Sequence, residues 1–352
     1  MAKPISQRRI FTMGDAGYFL GIVALINSLR ITGNNDPVTV LDLGMTPEQR
    51  TVLAPHCEFI EIDMVDGMKP WVLAPFPQVV DPEGLIAIID SDIIITASLD
   101  PFFEQAERAQ VVVFPDPWYT DRQFDSWESD FGLGAPLRTG QAYANAGCIF
   151  FSTLAQPDFL RRWWECCVKV AGTKTMLDDG DEASPFAYGS QDALNALLMS
   201  EVSPTSIAYQ PKHAERFLDL QRGGVEFQNL ERLECMHEGE LVSVLHRFMS
   251  NKPWQRSARR AVVRTAYLMG LRRCLVGPGL EIRVSRHELP PWLLPGVRGR
   301  VALELLCHME HVRNGVRWMR QLRYRTGRAV KIRLATNRFA RAIWKAARGV
   351  DR

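Results

Sequence analysis

Through residue 255 the sequence alternates short β-branched runs with longer amphipathic ones, and no other feature constrains the fold as strongly. "RIFTM" precedes "YFLGIVALINSLR", "PVTVLDL" precedes "TPEQRTVLAP", and strand-like runs recur as "CEFIEID", "LIAIID", "AQVVVFPD" and "CIFFS". Strands that alternate with helices imply an α/β fold with a mainly parallel sheet covered on both faces. Ligands of such sheets bind at the carboxyl ends of the strands. Asp15, Asp90 and Asp116 each closely follow a strand-like run, so the pattern brings three carboxylates toward one edge of the sheet.

Charge divides the chain at the same place. Residues 256–352 hold 23 Lys/Arg against 5 Asp/Glu, whereas residues 1–255 hold 19 against 35. Two units are expected: an acidic α/β domain over 1–255 and a basic, mostly helical extension over 256–352. The opening "MAKPISQRRIFTM" has no apolar stretch of signal-peptide length, and no apolar run long enough to span a bilayer occurs. The seven cysteines are odd in number and form no CxxC pair, which fits reduced thiols better than a disulfide framework or a zinc site. Together these features predict a soluble, cytoplasmic protein.

One apolar run carries two charges. In "GLIAIIDSDIIIT" (84–96), Asp90 and Asp92 stand one residue apart. Side chains two apart in a strand point the same way, so both carboxylates converge while Ser91 turns its backbone toward a ligand. Such a pair repels unless a cation lies between them. A hard divalent ion, Mn2+ or Mg2+, takes oxygen ligands and bridges to phosphate. Read alone, the same three residues also suit an acidic turn that closes a buried strand.

Four more segments accompany this motif: "IFTMGDAGYFLGIVALINSLR", "YANAGCIFFS", "YGSQDALNALL" and "VLHRFMSNKPW". In order and approximate spacing the set resembles glycosyltransferase family 8, the group of glycogenin and the bacterial lipopolysaccharide galactosyltransferases. The resemblance covers about residues 8–255. It implies a GT-A fold whose D-x-D motif holds Mn2+ (or Mg2+) against the diphosphate of a nucleotide sugar, usually a UDP-sugar. It also implies transfer of a hexose to a saccharide or lipid-linked acceptor with retention of anomeric configuration.

Carried over residue by residue, Asp90 and Asp92 match the D-x-D ligands and His246 the third protein ligand of the metal. Lys252 resembles the lysine at the diphosphate, where an ammonium stabilises the leaving group. In "TMGDAGY", Asp15 matches the acid that contacts the base, and Met13 and Ser91 offer backbone contacts to the nucleotide. Lys69, in "MKPW", is placed to reach the nucleotide from the preceding loop. Asn145 and Ala146 match the donor-sugar segment, and an asparagine supplies both a donor and an acceptor to sugar hydroxyls. Asp116, with Trp118 and Trp127, is a candidate for the sugar and acceptor. Gln191 and Asp192 fall beneath the reacting face of the sugar and are the candidates for catalysis. An asparagine before a strand and an acid at a helix start also have ordinary turn and capping uses.

Two positions depart from the family pattern. Ser190 stands where many members have an acid before the glutamine, and Met249 where a glycine often follows the metal histidine. Gln191 is a poor nucleophile, so front-face substitution is expected over a covalent glycosyl-enzyme. The competing reading is a non-catalytic or nucleotidyl-transferring relative, although "TMGDAGY" lacks the basic, glycine-rich loop that nucleotidyl transfer favours.

The basic end raises a separate expectation. Residues 312–352 hold 13 Lys/Arg and one acid, with apolar residues interleaved at helical intervals. Such a segment suits an anionic membrane surface, or docking on the acidic body of its own chain. Nucleic acid is not an expected partner, because no stacking motif accompanies the charge. A peripheral place on the inner face of the plasma membrane follows from the membrane reading.

Overall fold

The computed structural model describes residues 7–62, 69–119, 121–136, 142–178, 180–217, 224–247, 252–255, 266–299 and 301–302. The main sheet contains β1 (Arg8–Gly14), β2 (Val38–Asp42), β3 (Glu58–Glu61), β4 (Leu85–Ile89), β6 (Val111–Pro115), β7 (Ala144–Ser152) and β8 (Ile207–Tyr209); β5 (Ile93–Ile95) leaves it for a smaller sheet. Across the main sheet the order is β3-β2-β1-β4-β7-β6-β8. All pairs are parallel except those of β7, which runs antiparallel to β4 and β6. The mainly parallel α/β architecture expected from the sequence is the one observed.

Alternation along each strand feeds two cores. Ile10, Val40, Ala87, Val112 and Phe150 point to one face, and Phe11, Leu41, Ile86, Val113 and Phe151 to the other. The first face is covered by α1 (Phe19–Ile31) and α3 (Asp100–Glu107), the second by α4 (Trp127–Phe131), α5 (Phe159–Lys169) and α6 (Ser190–Ser200). Between β2 and β3, α2 (Pro47–Leu53) starts on a capping box formed by Thr46 and Gln49, with Pro47 in its first turn. The helix α5 is amphipathic as its sequence suggests: Trp163, Cys166 and Cys167 are buried, while Arg161 and Glu165 pair at its surface.

The helix α1 has little polar face, since its residues from Phe19 through Leu29 are all buried. Its second covering comes from α7 (Ala266–Val276), whose Tyr267, Leu271 and Cys274 join the first core together with Ile282 and Trp292. Asn27 fixes this contact by donating to the carbonyls of Cys274 and Ile282, each at 2.9 Å. The described part of the basic extension, from Ala266 on, is thus packed against the α/β body. Residues 303–352, which include the interleaved basic segment, and Met249 lie outside the described residues.

Two small sheets complete the fold. One orders β5, β13 (Val244–His246) and β9 (Glu215–Phe217); the other is built from β10 (Val225–Asn229), β11 (Glu234–His237) and β12 (Glu240–Val242). Among the described residues there is no disulfide, and no helix is long and apolar enough to cross a membrane.

Candidate functional site

Asp90 and Asp92 converge by a route different from the one a single strand would provide. They occupy the turn between β4 and β5. The Asp90 amide donates to the Gly147 carbonyl of β7 at 2.8 Å, and the Ile93 amide donates to the Asp90 carbonyl at 3.1 Å. The turn is therefore pinned at both ends. Antiparallel pairing of β5 with β13 sets Ile93 opposite His246, which brings the imidazole beside Asp92. His246 Nε2 lies 3.3 Å from Asp92 Oδ1 and 4.0 Å from Asp90 Oδ2.

Three observations fit this cluster to a divalent cation. Ligand atoms of Asp90, Asp92 and His246 all lie within 4.8 Å of one another. Asp92 Oδ1 is buried and, among the described residues, is approached at 3.3 Å by His246 Nε2 without a well-formed hydrogen bond, so it retains acceptor capacity for a cation. Gly147 leaves the space beside the cluster open: a Cβ there would meet His246 Cε1 at 2.6 Å and Asp90 Oδ2 at 2.8 Å. Carboxylate oxygens with one imidazole nitrogen are a donor set suited to Mn2+ or Mg2+.

The cluster concentrates negative charge, which the positive groups beside it offset. Burial, followed by the Asp92 charge, pushes Asp90 up to about 6. Burial alone would raise Asp92 as well, but Lys252 and His246 hold it below the ordinary carboxylate range. For His246, burial favours the neutral ring; Asp92 and Glu215 outweigh it and raise the imidazole to about 10. Lys252 Nζ donates to Asp92 Oδ2 and, at 2.7 Å, to the Arg247 carbonyl. Next to it, Tyr18 is raised by burial and then by Asp92 and Asp90, with its ring 5.9 Å from Lys252 Nζ.

The nucleotide-side candidates surround the same turn. A Cβ on Gly21 of α1 would come within 2.4 Å of the Ser91 carbonyl, so only glycine lets the helix approach this closely. Trp254 packs on Tyr18 and donates to the Gly17 carbonyl at 2.9 Å, closing the turn after β1. Met13 sits in β1 opposite Leu41, and the exposed Asp15 carboxylate accepts from the Gly17 and Tyr18 amides. Lys69 is drawn elsewhere, to Asp178 Oδ2 at 2.6 Å and the Thr173 carbonyl at 2.7 Å.

A polar row continues from the cluster across Gly147. The same Gly147 Cβ position lies 2.9 Å from Asn145 Oδ1. Asn145 Nδ2 and the Ala146 amide donate to Gln191 Oε1 at 3.2 and 3.1 Å, and Gln191 Nε2 donates to Asp116 Oδ2 at 3.1 Å. Asp116 Oδ1 accepts from the amides of Trp118 and Tyr119. Burial raises the Asp116 carboxyl, with these donors opposing it.

Asp192 differs from its neighbour Gln191. It is fully buried, and its oxygens accept from Arg122 Nε at 2.7 Å, Arg122 Nη2 at 3.2 Å, Tyr143 OH at 2.7 Å and the Tyr188 amide at 2.8 Å. Arg122 also stacks on Phe124 and Tyr188 and bonds the carbonyls of Glu182 and Ser184, joining the two irregular stretches near residues 118–136 and 173–189. Trp127 belongs to this scaffold, buried with its Nε1 on the Pro185 carbonyl at 2.8 Å, whereas Trp118 is exposed.

Sequence reasoning passed over Arg122, Glu215 and Tyr267. Glu215 Oε1 contacts His246 Nδ1 at 2.8 Å, and Tyr267 OH donates to the Asp92 carbonyl at 2.9 Å. Neither lies in a recognisable motif, and Tyr267 falls within a segment defined in sequence by its basic charge.

This arrangement places the chain among known folds. It has the GT-A fold of glycosyltransferases, a mixed α/β architecture around a mainly parallel seven-stranded sheet. The bifunctional glycosyltransferase WbbM is similar with a TM-score of 0.51 at 13% identity, over 79% of this chain and 51% of that one. The galactosyltransferase LgtC, solved with donor and acceptor sugar analogues, gives a TM-score of 0.46 at 17% identity, over 71% of this chain and 90% of that one. The glycosyltransferase GlyE of Streptococcus pneumoniae TIGR4 gives 0.43 at 16% identity, over 70% and 57%. No protein-family model and no curated protein matches the sequence.

Proposed function

We propose that the protein is a metal-dependent, retaining glycosyltransferase that moves a hexose from a UDP-sugar to a saccharide or lipid-linked acceptor. The observation that carries this reading is the continuity of the site: the Asp90–Asp92–His246 cluster and the Asn145–Gln191–Asp116 row meet at Gly147. A cation pole beside a row of neutral and acidic hydrogen-bonding groups matches the two halves of a nucleotide sugar. The WbbM fold similarity supports the same class of reaction.

In this reading Asp90, Asp92 and His246 hold Mn2+ (or Mg2+), which supplies charge stabilisation to the diphosphate. Lys252 adds a fixed positive charge beside it, and Met13, Asp15 and Ser91 line the nucleotide side. Asn145, Ala146 and Asp116 orient sugar hydroxyls. The C1–O bond to the diphosphate breaks as the acceptor oxygen bonds C1 on the same face, and the acceptor proton passes to a leaving phosphate oxygen. Gln191 offers polar atoms to the developing positive charge, while Asp192 positions it by fixing the start of α6. The amphipathic basic segment at 312–352 supports peripheral association with an anionic, cytoplasmic membrane surface. We infer that the catalytic unit extends beyond residue 255 to include α7, because Tyr267 bonds the metal-binding turn.

Calorimetry of a panel of UDP-hexoses with and without Mn2+ tests the reading, followed by hydrolysis and transfer assays. Binding of at least one donor is expected to require the metal and to vanish in Asp92→Ala and His246→Ala. Absence of metal-dependent binding across the panel sinks it.

A further inference from the structure

We propose that Glu215 is the positioning residue of the metal site: its carboxylate holds a proton of His246 on Nδ1, so that Nε2, the nitrogen facing Asp90 and Asp92, is the one that yields its proton and ligates a cation. This inference rests on the metal-site reading above and deepens it. Register carries the first part. Strand β9 runs parallel to β13 with Glu215 paired to Val244, and the Ala214 carbonyl accepts from both the Ser243 and Val244 amides at 2.9 Å. Glu215 is thereby fixed beside the imidazole edge opposite the aspartates.

The contact is short, buried and well defined. Glu215 Oε1 lies 2.8 Å from His246 Nδ1, and each side chain is 2% exposed. Its second oxygen, Oε2, is buried and makes no hydrogen bond among the described residues. A buried carboxylate with one oxygen left unserved is a poor structural element, because a hydrophobic residue of similar volume would pack there without that desolvation cost. Its hydrogen-bond partner among the described residues is a histidine that faces two further carboxylates.

The chemistry follows from the two ring nitrogens. A neutral imidazole carries its proton on one nitrogen and a lone pair on the other, and the hydrogen bond made by the first decides which. A carboxylate can accept but not donate to Nδ1, so Nδ1 keeps the proton and Nε2 is left to ligate. The same contact increases the basicity of Nε2 toward a cation. With the proton on Nε2 instead, a hydrogen would project into the space between Asp90 and Asp92 and exclude an ion.

Two variants and two readouts test the assignment. Glu215→Gln keeps a carbonyl acceptor for Nδ1–H, whereas Glu215→Leu removes it. Mn2+ titration by calorimetry is expected to give binding within about tenfold of wild type for Gln and about 10- to 100-fold weaker for Leu. Imidazole 15N spectra of the Cd2+-loaded wild type are expected to show His246 protonated at Nδ1 and coordinated at Nε2. Melting curves in chelator identify a variant that fails to fold; if Leu is one, the Gln titration and the wild-type tautomer decide. Wild-type affinity in a folded Glu215→Leu variant, or coordination through Nδ1, overturns the role of Glu215 while leaving the metal site standing. Failure of the wild type to bind Mn2+ overturns the metal reading itself, and this inference with it.

Discussion

Lys252 places its ammonium on the Asp92 carboxylate across 160 positions of sequence, with both side chains nearly buried. The lysine takes Oδ2, while Oδ1 faces His246. One carboxylate thus serves a fixed cation on one side and the space of the proposed metal site on the other.

Replacing that lysine should separate metal binding from catalysis. Lys252→Met removes a positive charge next to the cluster, so Mn2+ affinity should hold or rise in calorimetry. Turnover should fall by about a hundredfold, the scale seen when one stabilising donor is removed from a developing negative charge. A parallel loss of metal affinity and turnover would contradict the role given to Lys252.

Gly147 is expected to tolerate no side chain. Its φ is an ordinary one, so alanine strains no backbone there, but the added Cβ would approach His246 Cε1 at 2.6 Å and Asn145 Oδ1 at 2.9 Å. Gly147→Ala should cost about 1–3 kcal/mol of stability through overpacking. Its Mn2+ affinity should drop by about tenfold or more, because a displaced His246 no longer faces the aspartates. Unchanged Mn2+ binding would show that the cluster is not the metal site.

The metal-free protein should lose stability as pH rises. His246 is raised from its ordinary value near 6.5 to about 10, so its contribution is complete below the unfolded value and is lost as pH climbs through 10. Asp90, raised to about 6, acts in the same direction at lower pH, since ionising it in the fold is disfavoured. A bound cation needs neutral imidazole and ionised carboxylates, so the gain in Tm on adding Mn2+ should be larger at about pH 9 than at about pH 7. Thermal melts across that range, with Mn2+ and with chelator, provide the check.

Arg122 and Asp192 should act as one unit. Arg122→Met strands a fully buried carboxylate, at a cost of about 3–5 kcal/mol, whereas Asp192→Asn leaves a neutral group that still accepts from Tyr143. Denaturant melts should rank Arg122→Met below Asp192→Asn. The double variant should recover part of the loss, and strict additivity would count against the pair.

The end of the chain offers a cut that distinguishes folding from membrane binding. Truncation after residue 255 removes Tyr267, Leu271 and Leu275 from the core, at about 1.5–3 kcal/mol for each large side chain, and should leave a poorly folded protein. Truncation after residue 302 should keep the fold and reduce sedimentation with anionic liposomes. Tyr267→Phe should cost about 1 kcal/mol, the worth of its bond to the Asp92 carbonyl.

The sheet was readable because alternation is local. Val38 through Asp42 and Leu85 through Ile89 announce buried strands without reference to anything distant. The convergence of Asp90, Asp92 and His246 was readable for a different reason: each sits inside a segment whose neighbours carry the family resemblance. Glu215 has no such setting, since its importance comes from the register of β9 on β13. Tyr267 was hidden by the arginines around it, which describe the surface of α7 rather than the side that enters the core. The turn geometry of Asp90 and Asp92 was also out of reach, because it depends on the Gly147 carbonyl in a strand that follows some fifty residues later.

The pairing of β5 with β13 gives the site a place in time as well as in space. Two of its three proposed ligands emerge early in synthesis, but the third lies in a strand that can dock only after the chain has made all seven strands of the main sheet. Closing so long a loop is slow and costly in entropy until its partner contacts form. Ion capture would therefore mark the moment at which the growing polypeptide has completed its main sheet and docked β13 on β5. A luminescent or paramagnetic ion offered during refolding would then report completion of the fold rather than its beginning.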